Sequence, residues 1–423
     1  MEKEKYAYLA EVTEQIRSKE AKEFVSAELE HHLQNAKKAW LEKGVGEEEA
    51  EAKAVEQMGN PRMLGQQLNQ LHRPKIDWWM MVLFISILGI SILPMMISGG
   101  VMESGSYTKR KIFYNIIGFL TIISLMYMDY RKLRKYGRYF GGIGVVILLA
   151  ISFFPTTLIN GSPFLVIGSL TVSSYYALPF LFLFWSAYLN DKNVKIWKCL
   201  MIFISTLLLF FLQASEVGAF LYAVMVFGMV WFSDLNKRKL IGVTIAFFVT
   251  TTSCFFLFWF YSAGYHQRLQ AFLNPERYQE NEGYMYILVQ GMMKNAGWFG
   301  SNATNVPQRS SHTDLVFVNF TYYYGWLFAA VLAAMLLLLF GRMLLIFNKI
   351  HDPFGRMLIV GGAVLFSEQV LYNFSMTIGV LPIISIWLPF ISYGFIPTLL
   401  NSFIVGIILS IYRRKDIMAV SQS

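Results

Sequence analysis

The sequence predicts an all-α polytopic membrane protein of about ten transmembrane helices, preceded by a small cytoplasmic helical domain. Three observations carry that prediction. Of 423 residues, 55% are hydrophobic and only 15% charged, a balance that excludes a disordered chain and argues against an ordinary soluble enzyme. About ten apolar stretches are long enough to cross a hydrocarbon core of roughly 30 Å. The loops between them alternate between basic and uncharged, as the positive-inside rule requires.

Residues 1-77 form the cytoplasmic helical prefix, where Leu9, Val12, Ile16, Phe24, Leu29, Leu33, Trp40 and Leu41 recur near helical spacing among Glu and Lys. Glu47, Glu48, Glu49 and Ala50 open a second helix running to Met58. Gly59, Asn60 and Pro61 stop it before a third piece from Arg62 to Leu71. A three-helix cap results. The charge changes sign at its end: through Asp77 there are 12 Lys and Arg against 15 Asp and Glu, which leaves 24 against 12 beyond it. The N-terminus is charged from Glu2 and carries no cleavable signal pattern, so the prefix is expected to stay in the cytoplasm.

From residue 78 to 423 the chain reads as the membrane domain, with spans at approximately 79-97, 112-128, 139-158, 175-189, 196-212, 216-232, 240-261, 323-347, 356-381 and 391-412. With the N-terminus inside, the inner loops carry Arg131 to Lys135, then Lys192, Lys195 and Lys198, then Lys237 to Lys239, then Lys349 and Arg356, and finally Arg413 to Lys415. Outer loops at 159-174, 213-215 and 382-390 have no Lys or Arg. Lys109, Arg110 and Lys111, after the first span, are the main exception to the rule. Basic charge thus reports a multi-pass protein of the cytoplasmic membrane with both termini inside, not nucleic-acid binding. Loop 262-322 is the single long extracytoplasmic loop, of the kind usually tied to function. It holds Glu276, Glu280, Glu282 and Asp314, a third of the acids beyond the prefix.

The two cysteines, Cys199 and Cys254, lie in or beside apolar runs and read as no disulfide framework. Neither a Walker loop, a dinucleotide fingerprint nor a Cys/His zinc spacing occurs, which leaves ATP-driven transport and redox chemistry unsupported. An apolar setting implies a lipid-borne or membrane-crossing substrate. Two carboxylates stand out: Glu368 lies inside the ninth span, where a charge costs roughly 2.5–3.5 kcal/mol, and Glu216 sits at a span end, where it can snorkel to water.

Ser311 to Phe317, followed by Tyr324, Gly325 and Trp326, resembles the His-Thr-Asp-Phe-Ile-Phe motif and following Gly of the SEDS family, which comprises FtsW, RodA and SpoVE. Gly379 to Pro382 and then Leu388 to Gly394 resemble that family's Gly-Leu-Leu-Pro and Pro-Leu-Pro-Phe-Ile-Ser-Tyr-Gly-Gly signature, with seven consecutive residues in register. Gln369, Val370 and Asn373 precede it at family-like spacing. Arg268, Phe272 to Glu276, Gly283, Tyr284, Phe299 and Gly300 are similar to the family's large outer loop. Gln213 and Glu216 to Gly218 are a looser counterpart of its Gln-Pro-Asp-Leu-Gly element.

This resemblance, covering roughly residues 77 to 415, implies the SEDS fold and a peptidoglycan glycosyltransferase that polymerises lipid II in the wall synthesis of division, cell shape or sporulation. The 4-hydroxyl of one lipid-linked disaccharide attacks the anomeric carbon of another and expels undecaprenyl diphosphate with inversion. Asp314 matches the family's essential Asp and is the implied base, unless it merely caps the helix that follows. Arg268 and Lys294, with Arg309, are outer-loop cations able to offset the diphosphate. His312, Thr313, Gln213, Glu216, Pro389, Ser392, Tyr393 and Gly394 complete the implied substrate-binding set. A divalent cation, Mg or Mn, bridging phosphate oxygens fits such chemistry, though no ligand cluster marks it. The implied partner is a class B penicillin-binding protein.

Some residues depart from the family. Ser162 to Leu165 and Ser173 to Pro179 stand where it carries a basic-Trp element and then Gln-Pro-Ser-Glu and Lys, and Phe395 replaces the second signature Gly. A divergent member results, for which a flippase of lipid-linked precursor and a non-catalytic scaffold stay open as alternatives. Separately, Glu28 to Leu33, Gly46 to Ala50 and Gln57 to Pro61 resemble the cytoplasmic helical prefix of some Gram-positive permeases and signalling proteins.

Overall fold

The computed structural model describes residues 3–96, 101–159, 162–168, 170–191, 194–233, 235, 237–261, 263–301 and 313–417. Contacts divide the chain into two compact units, one taking in the residues through Asp77 together with those from Ile411, the other running from Trp78 to Ser410.

The first unit contains α1 (Lys3–Glu14), α2 (Lys19–Glu42), α3 (Glu47–Gln57) and α4 (Pro61–Leu71). Four helices replace the expected three, because Ser18 interrupts the long first segment and caps α2, its hydroxyl accepting from Ala21 N at 3.4 Å. Asn60 caps α4 by accepting from Arg62 N and Met63 N at 2.9 and 3.2 Å, with Pro61 in the first turn. Leu9, Val12, Ile16, Val25, Leu29 and Leu33 pack into one core. Trp40 stays outside it, with the ammonium groups of Lys43 and Lys53 at 4.5 and 5.4 Å from its ring. Within the same unit Arg414 is fully buried and forms a two-pronged ion pair with Glu20, both contacts 2.8 Å.

The second unit holds α5 (Trp78–Ile90), α6 (Leu93–Met96), α7 (Val101–Tyr127), α8 (Arg131–Lys135), α9 (Gly137–Phe153), α10 (Leu178–Leu189), α11 (Ile196–Leu212), α12 (Glu216–Trp231), α13 (Lys237–Tyr261), α14 (Ala263–Leu273), α15 (Tyr284–Asn295), α16 (Val316–Phe347), α17 (Pro353–Thr377) and, as far as Ser410, α18 (Phe395–Arg413). Among the described residues four helices are long and apolar enough to cross a membrane by length and composition: Trp78–Met96, Val316–Phe347, Pro353–Thr377 and Phe395–Arg413. Five shorter apolar helices accompany them, at Gly137–Phe153, Ser174–Leu189, Ile196–Leu212, Glu216–Trp231 and Leu240–Cys254. With α7, each span read from the sequence contains a helix, and the protein is an all-α polytopic membrane protein.

Two segments expected as plain loops are ordered. Three strands, β1 (Thr157–Ile159), β2 (Ser162–Ile167) and β3 (Leu170–Val172), pair in an antiparallel sheet, Thr157 with Phe164 and Leu165 with Val172. The long loop contains α14 and α15, and α16 begins at Val316, seven residues before the expected span.

Small residues let the helices approach. A side chain at Gly137 of α9 would meet the Ala187 Cβ of α10 at 2.4 Å. In the interior Trp185 Nε1 donates to the Tyr222 hydroxyl at 3.0 Å, and the Phe203 and Phe247 rings stack at 4.0 Å. At the start of α17 Asp352 accepts from Gly355 N at 2.7 Å and from the Tyr130 hydroxyl at 3.0 Å, capping the helix and tying it to the α7–α8 turn.

Candidate active site around Asp314

Between α17 and α18 the backbone leaves the helical conformation from Ile378 to Gly394. Irregular backbone beside apolar helices must find hydrogen-bond partners within the protein, and it does. Ser392 Oγ accepts from Leu388 N and donates to Thr313 O, each at 2.7 Å. Asn373 Nδ2 donates to Ile386 O at 2.9 Å and to Asp314 O at 3.0 Å. Both carbonyls of the Thr313–Asp314 pair are therefore fixed from the α17–α18 segment.

Phe390 adopts φ +65°, the left-handed region that costs a non-glycine residue energy. Its ring is fully buried and meets Phe84 at 5.2 Å and Phe366 at 6.4 Å, contacts that hold the turn. Pro389 is buried in the same turn, and Gly394 closes it at φ +149°. The fully buried Lys111 of α7 donates from Nζ to Phe390 O and, at 2.8 Å, to Ser392 O.

Asp314 precedes α16 without capping it, since Leu315 occupies the cap position and no side-chain bond closes that end. The carboxylate is free for other work. Burial pushes its pKa up from 3.8 to about 6, an effect partly offset by a hydrogen bond from Ser385. At that value the group is mostly ionised at neutral pH and still basic enough to take a proton.

Other elements converge here. The Tyr175 hydroxyl, hydrogen-bonded to Ser215, lies within electrostatic reach of both Asp314 and Glu216. Its ring meets Trp387 edge-on at 4.5 Å. The exposed Arg268 of α14 acts on Glu216 and on Tyr286. Tyr286 accepts from Ile383 N at 3.1 Å, joining α15 to the turn segment. Beneath that contact Val289, Met292, Leu315, Val318, Tyr322 and Met376 pack together, so α15, α16 and α17 share one apolar cluster. Residues 297–301 dock on α16 where Gly325 takes φ +90°. A side chain there would meet Trp298 O at 2.3 Å, so only glycine fits.

Of the residues the sequence nominated, Asp314, Thr313 and Ser392 lie in one bonded network, Pro389 is buried in the same turn, and Glu216 and Arg268 are linked to it through Tyr175 and charge. Gln213 differs from expectation: it is buried, and its Nε2 donates to Leu148 O at 2.7 Å and to Ser152 Oγ at 3.1 Å, which commits it to α9. Lys294 is exposed in the last turn of α15. Tyr393 faces α7, its ring 5.1 Å from Tyr107 and 5.8 Å from Tyr114. His312 and Arg309 lie outside the described residues. Glu368 is buried in α17 with no hydrogen-bond partner among them. No group of three or more His, Cys, Asp or Glu able to hold a metal ion occurs among the described residues.

Sequence reasoning missed Lys111, Tyr175, Ser385 and Trp387. For Lys111 a signal existed, because it belongs to the basic triplet that breaks the positive-inside pattern. Tyr175, Ser385 and Trp387 carry no local mark.

Residues 75–417 match the family of FtsW, RodA and SpoVE, described as cell cycle protein. A probable peptidoglycan glycosyltransferase FtsW of Geobacter metallireducens is 27% identical over 330 residues, covering 73% of this chain and 85% of the relative. The structure resembles a chain from work on the structural coordination of polymerization and crosslinking by a peptidoglycan synthase complex. There the TM-score is 0.68 at 20% identity, over 80% of this chain and 98% of that one. It also resembles the rod shape determining protein RodA of Thermus thermophilus, with a TM-score of 0.58 at 18% identity, over 80% and 97% of the two chains.

Proposed function

The chain belongs to the cell cycle protein family of FtsW, RodA and SpoVE, and on that ground we propose that it is a peptidoglycan glycosyltransferase polymerising lipid II at the outer face of the cytoplasmic membrane. The observation that carries this reading is Asp314: a half-buried carboxylate with its pKa raised to about 6, anchored through two backbone carbonyls by Ser392 and Asn373. Such a group is placed to receive the proton of the acceptor 4-hydroxyl as its oxygen bonds the donor's anomeric carbon and the bond to the diphosphate breaks. The fixed main chain holds the carboxylate at one position during the reaction. Arg268 supplies positive charge beside Glu216.

Thr313, Ser392, Pro389 and Gly394 shape the wall of this site, and the class B penicillin-binding protein is the proposed partner, a pairing supported by likeness to a chain of a peptidoglycan synthase complex. Both termini are proposed to be cytoplasmic, which places Asp314 outside. The test is polymerisation of lipid II by the purified full-length protein. Wild type should make glycan strands and Asp314→Ala should not. Equal polymer from the variant would remove Asp314 from the reaction, and lipid II translocation without polymer in reconstituted vesicles would replace the reading by a flippase.

A further inference from the structure

The basic triplet Lys109, Arg110 and Lys111 is unexplained by topology, and of the three only Lys111 enters the network around Asp314. Its surroundings are unusual. Lys111 is fully buried beneath the turn, donating to the carbonyls of Phe390 and Ser392 on either side of Ile391. Arg110 is exposed, and its side chain hydrogen-bonds the Tyr393 hydroxyl, which is also bonded to Tyr114. The Tyr107 ring lies 5.1 Å from Tyr393 and completes an aromatic wall. No ion pair with a carboxylate involves any of the three cations among the described residues.

A guanidinium has five N–H donors in a planar fork, and a phenol oxygen satisfies only part of that capacity. What remains matches two oxygens of a phosphate, the group that a fork binds better than a point charge does. The hydrogen bond between the Tyr393 and Tyr114 hydroxyls uses one of their protons and leaves the other to donate to a second phosphate oxygen. Lys111, fully buried with its Nζ on the carbonyls of Phe390 and Ser392, ties the turn to α7 beside Arg110. Ser392 and Tyr393 are adjacent on that turn: one holds the Thr313–Asp314 pair, the other meets Arg110. A bound diphosphate would thus share a rigid element with the proposed base.

We propose that Arg110, with the hydroxyls of Tyr393 and Tyr114, forms a subsite for the diphosphate of a polyprenyl-linked sugar donor, and that Lys111 positions the turn beneath it. The assignment of the diphosphate to the sugar donor rests on the glycosyltransferase reading. The sequence departs from the family's charged elements at Ser162 to Leu165 and Ser173 to Pro179, and this subsite supplies the donor-side positive charge from α7 instead.

Binding of radiolabelled farnesyl diphosphate to the full-length protein in lipid nanodiscs tests the subsite. Arg110→Gln should weaken binding about tenfold and Arg110→Lys about threefold, because lysine keeps the charge but loses the fork. Lys109→Gln, an exposed neighbour of equal charge, should change it by less than about twofold, with melting temperatures recorded for all variants. Equal binding by Arg110→Gln, or an equal loss with Lys109→Gln, overturns the proposal. Farnesyl monophosphate binding as tightly as the diphosphate also overturns it. Inorganic pyrophosphate displacing the label at equal concentration would identify a free-anion site and refute the lipid carrier. Asp314→Asn should bind normally while losing polymerisation, so failure of the subsite and failure of the glycosyltransferase reading give different patterns.

Discussion

The helical prefix and the turn between α17 and α18 solve the same problem, satisfying backbone polar groups, by opposite means. In the prefix, Ser18 and Asn60 cap helices through donors two or three residues away. In the turn, Ser392 reaches Thr313, Asn373 reaches Asp314 and Ile386, and Lys111 reaches Phe390 and Ser392. Local capping makes a unit whose parts tolerate change one at a time. A long-range network concentrates a strained residue, Phe390, and a half-buried carboxylate, Asp314, where their cost is met by surrounding bonds. The difference separates a region held by local bonds from one in which distant elements fix the proposed base.

That contrast can be broken by substitution, and the largest effect should come from the carboxylate. Asp314→Asn should reduce lipid II polymerisation by about a hundredfold or more while the melting temperature holds. As a base Asp314 must be deprotonated, so the wild-type rate should fall as pH drops through about 6 and reach a plateau above it. The variant's residual rate should lack that limb. A wild-type rate flat between pH 5 and 8 would exclude this carboxylate as the base.

Ser392→Ala should come next, lowering polymerisation about tenfold, since it leaves Leu388 N without its acceptor and releases Thr313 O. In the prefix the corresponding changes should affect stability and spare the reaction. Glu20→Gln leaves the buried Arg414 facing a neutral amide and should cost about 2 kcal/mol, read as a lower melting temperature with polymerisation unchanged. Ser18→Ala should cost least, about 1 kcal/mol, by removing the cap of α2. Loss of polymerisation in either prefix variant at temperatures where it stays folded would show the two regions to be coupled.

Much of this was legible because the signals are local. Apolar runs placed the spans, and Gly59, Asn60 and Pro61 placed the α3–α4 break. Asp314, Ser392 and Pro389 were nominated through short motifs. Ser18 escaped notice because Ile16 and Val25 continue the apolar spacing across the break. The β1–β3 meander was hidden in a segment with no charge and little periodicity. The bonds of Gln213 to α9 were not foreseen, because a motif match says nothing of where an amide points.

Composition and periodicity determined the membrane class and placed the apolar spans, because burial of apolar surface in lipid depends on stretches of adjacent residues. Tertiary structure alone decided that Lys111, 203 positions before Asp314 in the chain, braces the turn that holds it, and that Tyr175 lies between two carboxylates. Desolvation and hydrogen bonding act over a few ångströms in space, whatever the separation along the chain, and it is at that distance that the proton affinity of Asp314 is set.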